Sequence, residues 1–207
     1  MRSVLMISGY LGAGKDTIGA YLCSKYGFQR YALADVLKDE VSEIFGIDRK
    51  LMDTQQGKQT IVFNSRNSRN SRNSRNAPLS IRDFLIQHGQ QKRALDRDHW
   101  VNEVLKKIKR SRDTNIVITD WRFPNEHAAF VANGYLTETW RVNKNDTPPL
   151  FDETEIALDN YPFDRVVENK SSIKDLYDSI DNIMKQKFLP PSSSSEKCAT
   201  IYRSIFL

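Results

Sequence analysis

One short stretch near the start of the chain, Gly9-Tyr10-Leu11-Gly12-Ala13-Gly14-Lys15-Asp16-Thr17, restricts the fold more than any other. The apolar run before it, Val4-Leu5-Met6-Ile7-Ser8, predicts a strand buried on both faces of a parallel sheet. The run after it, Thr17 to Tyr26, has the composition of a helix closed by Gly27. A strand, a glycine-rich turn, a lysine and a helix together make a phosphate cradle. Gly9, Gly12 and Gly14 allow the backbone, Ala13 included, to turn its N–H groups inward; the helix N-terminus adds its dipole, and Lys15 can reach the outer phosphates. The expected ligand is a nucleoside triphosphate.

The spacing matches G-x-x-x-x-G-K, but Asp16 stands where Ser or Thr normally ligates magnesium. A carboxylate facing phosphates is unfavourable without a cation between them, so Asp16 is expected to point away or to act through a metal-bound water. Thr17, one residue later, offers the hydroxyl. A glycine-rich turn with no ligand is the competing reading, and the flanking strand and helix disfavour it.

At 207 residues the chain suffices for one α/β domain with a good core and falls short of two. Residues 1–188 read as that domain, with a low-complexity insertion at 64–76 and a lid-like loop region at 143–160; residues 189–207 read as a tail. The first apolar run is short and leads straight into the glycine-rich turn, unlike a signal peptide, and no run approaches a membrane span. Cys23 and Cys198 offer no framework for disulfides or metal. A soluble protein of a reducing compartment, the cytoplasm, is therefore expected, with no membrane partner.

The net charge of +5 and pI near 9.1 raise the prior for a nucleic-acid partner. Four of the cations, Arg66, Arg69, Arg72 and Arg75, belong to the Ser-Arg-Asn repeats of the insertion, and subtracting those 4 from +5 leaves +1. The tract contains no apolar residue and is expected to be a disordered, solvated loop, a reading favoured over a nucleic-acid contact.

Further along, residues 28–33 predict a second strand, and Ala34 onward a helix with Leu37, Val41, Ile44 and Phe45 on one face, closed by Gly46. Asp35 and Lys38 fall at the carboxyl end of that strand, where open α/β sheets place ligands, although a helix cap and a solvated lysine fit equally. Ser80 is a candidate N-cap for a helix through Phe84 to Gly89, and a second helix is expected from about Asp98 through Ile108. Arg82 and Arg93 suit bidentate phosphate binding if they face the cleft; composition alone also allows surface arginines. Asn115 to Asp120 reads as a buried strand ending in an acid, where a Mg²⁺-associated carboxylate is usually needed, with a helix cap as the alternative. Arg122 would enter the same cleft. Residues 134–142 and 163–169 predict two more strands, with Arg141 at the base of the lid-like loop, and a helix carrying Ile173, Leu176, Ile180 and Ile183 follows.

Five strands alternating with helices, a phosphate turn after the first and an acid after the third, predict a three-layer P-loop NTPase fold around a five-stranded, mostly parallel sheet. Within that group Gly14-Lys15-Asp16-Thr17, Ala34-Asp35-Val36-Leu37-Lys38, the Arg82 to Trp100 region and Asp120-Trp121-Arg122-Phe123-Pro124-Asn125-Glu126 carry a closer likeness. Over most of residues 2 to 185 the chain resembles the deoxynucleoside monophosphate kinases of phage and viral type. In that family an aspartate after the lysine is normal.

The resemblance implies γ-phosphoryl transfer from ATP, with Mg²⁺, to the 5′-phosphate of a deoxynucleoside monophosphate, with the helical region between the second and third strands binding the acceptor. It implies that Lys15, Arg82, Asp120, Arg122 and Arg141 serve catalysis. Thr17, Asp16 and Asp120 would hold Mg²⁺, partly through water, and Asn169 would border the donor base. Gln87, Trp100 and Glu155 would join Asp35, Lys38, Arg82, Arg93 and Arg122 at the acceptor. A repetitive insertion in a compact enzyme would suit a viral genome, which would make the location a host cytoplasm. The expected partner is a small nucleotide; a nucleic acid is disfavoured, and the chain leaves room for a homodimer. Two rivals remain: a small-metabolite kinase of the same fold, acting on phosphomevalonate or dephospho-coenzyme A, and a nucleotide-regulated nucleic-acid-binding module.

Overall fold

Strand β1, Ser3–Ser8, forms the centre of the molecule, because every residue from Val4 to Ile7 is apolar and almost fully buried. A computed structural model describes residues 2–62, 79–144 and 153–188. The Ser-Arg-Asn tract, part of the lid-like loop and the tail expected at 189–207 lie outside the described residues.

Strands β2 (Gln29–Tyr31), β5 (Asn115–Ile118), β6 (Leu136–Asn143) and β7 (Arg165–Glu168) join β1 in one sheet of order β2-β5-β1-β6-β7. All four pairings are parallel, with Leu5 opposite Val117 on one side and Glu138 on the other. This is the three-layer P-loop NTPase architecture, and its sheet is wholly rather than mostly parallel.

Side chains alternate across the sheet with period two, and each face has its own helices. Val4, Met6, Ile116 and Ile118 pack with Trp100, Val101, Val104, Leu105 and Ile108 of α6 (His99–Arg110) and with Phe130 of α7 (Pro124–Ala132). Leu5, Ile7, Val117, Trp140 and Val142 pack with Ile18 and Leu22 of α1 (Lys15–Tyr26) and Leu176, Ile180 and Met184 of α9 (Ile173–Phe188). Each such side chain contributes roughly 2 kcal/mol by leaving water.

A third, smaller core lies away from the sheet. Val41 of α2 (Leu33–Phe45), Met52 of α3 (Arg49–Asp53) and Ile81, Phe84 and Leu85 of α5 (Ile81–Leu95) enclose it. The antiparallel pair of β3 (Ile61–Val62) and β4 (Leu79–Ser80) adds Val62 at its edge. Helices α4 (Gln55–Lys58) and α8 (Glu153–Ile156) complete the elements. Among the described residues no helix is long and apolar enough to cross a membrane.

The helix opened by Ser80 extends to Leu95 instead of ending at Gly89. Ser80 Oγ accepts the Asp83 N–H as expected of an N-cap, at 3.1 Å. Gly89 lies within the helix, where a Cβ would sit 3.4 Å from Leu37 Cδ2 and the Gly89 carbonyl accepts the Trp100 indole N–H at 3.2 Å. Here the glycine does not terminate the helix.

Candidate active site

The carboxyl end of β1 runs directly into the glycine-rich turn. Gly9 passes so close to β6 that a Cβ there would lie 2.5 Å from the Val142 carbonyl oxygen. Gly14, at φ 105°, is the N-cap of α1 and provides no side-chain cap. The first-turn N–H groups of such a helix lack acceptors within it and carry the positive end of the dipole. An uncapped helix N-terminus above a glycine turn fits a phosphate chain, with Gly9, Gly12, Ala13 and Gly14 shaping the backbone around it.

Lys15 Nζ donates to the carbonyl oxygens of Gly9 and Tyr10, at 2.7 and 2.9 Å, so its charge lies over the turn. Asp16 projects into solvent, 82% exposed, with Arg30 Nη2 at 3.7 Å from its carboxylate. Thr17 is partly buried in the first turn. From the neighbouring β7 end, Asn169 Nδ2 donates to the Ala13 carbonyl at 2.9 Å. That contact ties the end of β7 to the glycine-rich turn.

Asp120 follows β5 and borders the cleft. Its two carboxylate oxygens accept the backbone N–H groups of Leu33 (3.0 Å) and Ala34 (2.7 Å). The acid therefore caps a helix, but that helix is α2, whose own N-cap, Ala32, has no capping side chain. Desolvation pushes the Asp120 carboxyl up, against those two N–H groups and the charges of Arg122 and Arg30. Among the described residues there is no group of three or more His, Cys, Asp or Glu side chains that could hold a metal alone. Mg²⁺ in phosphoryl-transfer sites is held largely by phosphates and water with one or two protein oxygens, and Thr17, Asp16 and Asp120 carry oxygens of that kind.

Beside the turn lies a cleft of about 360 Å³, the size of a small-molecule site. Leu33, Leu37, Leu85, Ile86, Trp100 and Phe123 form its apolar surface. Lys38, Lys58, Arg82, Arg93 and Arg122 bring cations to the same space, from α2, α4, α5 and the connection after β5.

Each cation is held differently. Lys38 Nζ lies 3.0 Å from Asp53 and 3.6 Å from Asp35. Asp35 also receives Arg30 at 2.8 Å and Arg49 at 2.9 Å, so its carboxylate is engaged in a cationic network at the start of α2. Arg82 Nη2 donates to the neutral Gln55 amide oxygen at 2.7 Å. Arg93 stacks over the Phe123 ring at 3.7 Å and approaches Glu126 Oε1 at 3.5 Å. Arg122 Nη1 lies 3.3 Å from Thr154 Oγ1, and its backbone N–H donates to Glu126 Oε2 at 2.9 Å.

Glu126 is only 4% exposed. Burial pushes its carboxyl up to about 7, against the N–H groups of Arg122 and Phe123 and the charge of Arg93, with Asp120 adding to the rise.

Gln87 stands apart from the acceptor set expected of it. It is exposed on α5 and does not line the cleft, whereas Gln90 does. The lining positions 82, 85, 86, 89, 90 and 93 follow the 3.6-residue period, and position 87 falls off that face. Trp100 lies at the cleft, 5% exposed. The Glu155 side chain lies outside the described residues.

Arg141 neighbours the turn instead of the cleft. It pairs with Ser8 across β1 and β6, donates to Asp159 at 2.8 Å and stacks over the Tyr10 ring at 4.5 Å. At 8% exposure it is a buried strand residue.

Sequence reasoning gave no role to Arg30, Lys58, Gln90, Glu126 or Asp159. Glu126 had a signal: an acid at the third position of a helix opened by Pro124 is well placed to accept N–H groups before the helix. Lys58 had none, since α4 has only four residues and no periodicity.

No family model matches the chain, and no curated protein matches it. Among solved structures, TT1252 from Thermus thermophilus is 15% identical, with 89% of this chain and 97% of that one covered and a TM-score of 0.47. The dephospho-CoA kinase from Campylobacter jejuni is 11% identical over 89% and 97%, with a TM-score of 0.48. Shikimate kinase from Aquifex aeolicus vf5 is 15% identical over 89% and 97%, with a TM-score of 0.46. At such identities and scores the substrates named for those proteins say nothing about this chain's.

Proposed function

We propose that the protein transfers the γ-phosphoryl group of ATP to the 5′-phosphate of a deoxynucleoside monophosphate. The observation that carries this reading is the convergence of Lys38, Lys58, Arg82, Arg93 and Arg122 on one small-molecule cleft beside the uncapped, glycine-rich start of α1. One site suits a triphosphate, and its neighbour suits a second anion with an apolar body. The Gly14-Lys15-Asp16-Thr17 turn and the Asp120 to Glu126 stretch support the deoxynucleoside acceptor by resemblance.

An acceptor phosphate is largely a dianion at neutral pH, so the nucleophilic oxygen needs no general base. That oxygen forms a bond to the γ-phosphorus while the bond from phosphorus to the β–γ bridging oxygen breaks, and ADP leaves. Catalysis is then alignment of two polyanions and neutralisation of their charge. Lys15 exchanges its carbonyl partners for the donor's outer phosphates, and the turn amides hold the remainder. Arg82, Arg93 and Arg122 grip the acceptor phosphate, while Leu37, Ile86, Trp100 and Phe123 enclose its apolar body. Thr17, Asp16 and Asp120 would hold Mg²⁺, partly through water, and the ion would offset phosphate charge. Asp120 also fixes the start of α2, and so the placement of Lys38. Arg141 stiffens the turn through Tyr10.

A screen of acceptors with Mg-ATP tests the proposal. Deoxynucleoside and ribonucleoside monophosphates, dephospho-coenzyme A and phosphomevalonate are compared by product formation. The expected outcome is turnover with at least one deoxynucleoside monophosphate and retained turnover after deletion of residues 64–76. Activity confined to a metabolite acceptor, or none, refutes it.

A further inference from the structure

We infer that Lys58 of α4 is a specificity-determining residue that, with Arg82, selects a dianionic phosphate monoester as acceptor; this rests on the phosphotransfer reading above.

Of the cleft cations, Lys38 is paired with Asp53 and Asp35, and Arg93 faces Glu126. Arg82 has a neutral partner, Gln55, and no carboxylate within ion-pair distance among the described residues. The Lys58 ammonium makes no hydrogen bond or ion pair with any described residue, although the residue is half-buried and lines the cleft. Lys58 and Arg82 thus bring two positive charges, neither paired with a described carboxylate at ion-pair distance, to one space, matching a dianion better than a monoanionic carboxylate.

Lys58 is also held in an environment hostile to its own charge. Burial pulls its ammonium down from the usual lysine range, and the nearby charges of Lys38, Arg82 and Arg49 add to this, with Asp53 opposing. An incoming anion relieves both effects.

The backbone that presents Lys58 is fixed. Its N–H donates to the Thr54 carbonyl at 3.1 Å, and Thr54 Oγ1 accepts the Gly57 N–H at 2.9 Å. Gly57 is wedged so tightly that a Cβ would come 2.3 Å from the Leu51 carbonyl oxygen. The Ile81 N–H donates to Thr60 at 2.9 Å and ties the segment after α4 to the start of α5, one residue before Arg82. The third core beneath, with Met52 and Ile81 fully buried, therefore sets the spacing between Lys58 and Arg82. An ammonium on a preorganised backbone loses little freedom on binding.

The test uses the full chain with the donor site filled by the β,γ-imido analogue of ATP and Mg²⁺, so that added inorganic phosphate has only the acceptor site to occupy. Phosphate is titrated into the wild type, Lys58→Met and Lys58→Arg by calorimetry. The wild type is expected to bind, Lys58→Met to bind at least about tenfold more weakly, and Lys58→Arg to recover most of the loss, with thermal stability unchanged in all three. Absence of phosphate binding by the wild type, or equal binding by Lys58→Met, overturns the inference. A wild type that binds phosphate in this Lys58-dependent way yet phosphorylates no nucleoside monophosphate upholds the phosphate site and refutes the nucleotide acceptor.

Discussion

Asn169 and Gly14 each limit the other: the Asn169 amide nitrogen that donates to Ala13 at 2.9 Å would lie 2.6 Å from a Cβ on Gly14. The last strand of the sheet thereby braces the phosphate turn. Gly14→Ala must both expel that amide and hold a side chain at φ 105°. It is expected to weaken ATP binding at least about tenfold. Asn169→Ala removes one hydrogen bond, worth about 1 kcal/mol, and should raise the KM for ATP while leaving the acceptor KM alone. Thermal denaturation and steady-state kinetics check both; an unchanged ATP KM in Asn169→Ala would remove its bracing role.

Arg141 and Asp159 make a second test. The guanidinium, buried against Tyr10, has its carboxylate partner at 2.8 Å. Arg141→Ala is expected to lower stability by about 2 kcal/mol, the value of a hydrogen bond between charged groups, and to reduce turnover through the displaced Tyr10. Urea denaturation measures the first effect. A variant as stable as wild type would show that the pair contributes nothing to the fold.

Glu126 sets a pH dependence whose sign is fixed. Its carboxyl is pushed up from an ordinary 4.5 to about 7 in the folded protein, chiefly by burial. Between those values the folded state holds a proton that the unfolded chain has released, so the group's stabilisation is complete below about 4.5 and lost as pH rises through about 7. The loss reaches at most about 3 kcal/mol. Glu126→Gln can still accept the Arg122 and Phe123 N–H groups but does not titrate. Its denaturation midpoint should vary less across that window than that of the ligand-free wild type, and an equal slope would contradict the assignment.

The sheet was readable in advance because its strands are short apolar runs whose alternation matches the two packed faces. The phosphate turn was readable because few residue types can make it. The cleft was only half legible. Arg82, Arg93 and Arg122 stood out as arginines near motifs, but their partners Gln55, Glu126 and Thr154 come from elsewhere in the chain. Lys58 reaches the cleft through the third core, which is built from long-range packing between α2, α3 and α5 and leaves no local pattern.

Gln87 and Gln90 show the same limit at the scale of one helical turn. Motif register pointed to Gln87, and helical geometry turned it to solvent. Gln87→Ala should change the acceptor KM less than about twofold, and Gln90→Ala should change it more; the kinetics of the two variants with one deoxynucleoside monophosphate check the order. The reverse order would place the acceptor on another face of α5.

The most direct test of phosphoryl transfer at the turn is the initial rate of diphosphate formation from ATP and a deoxynucleoside monophosphate, measured side by side for wild type and Lys15→Ala. Wild type is expected to form ADP and deoxynucleoside diphosphate in equal amounts, and Lys15→Ala to be slower by at least about a hundredfold, the loss of a main electrostatic element. ATP hydrolysis without any phosphorylated acceptor in wild type, or an undiminished rate in Lys15→Ala, would contradict it.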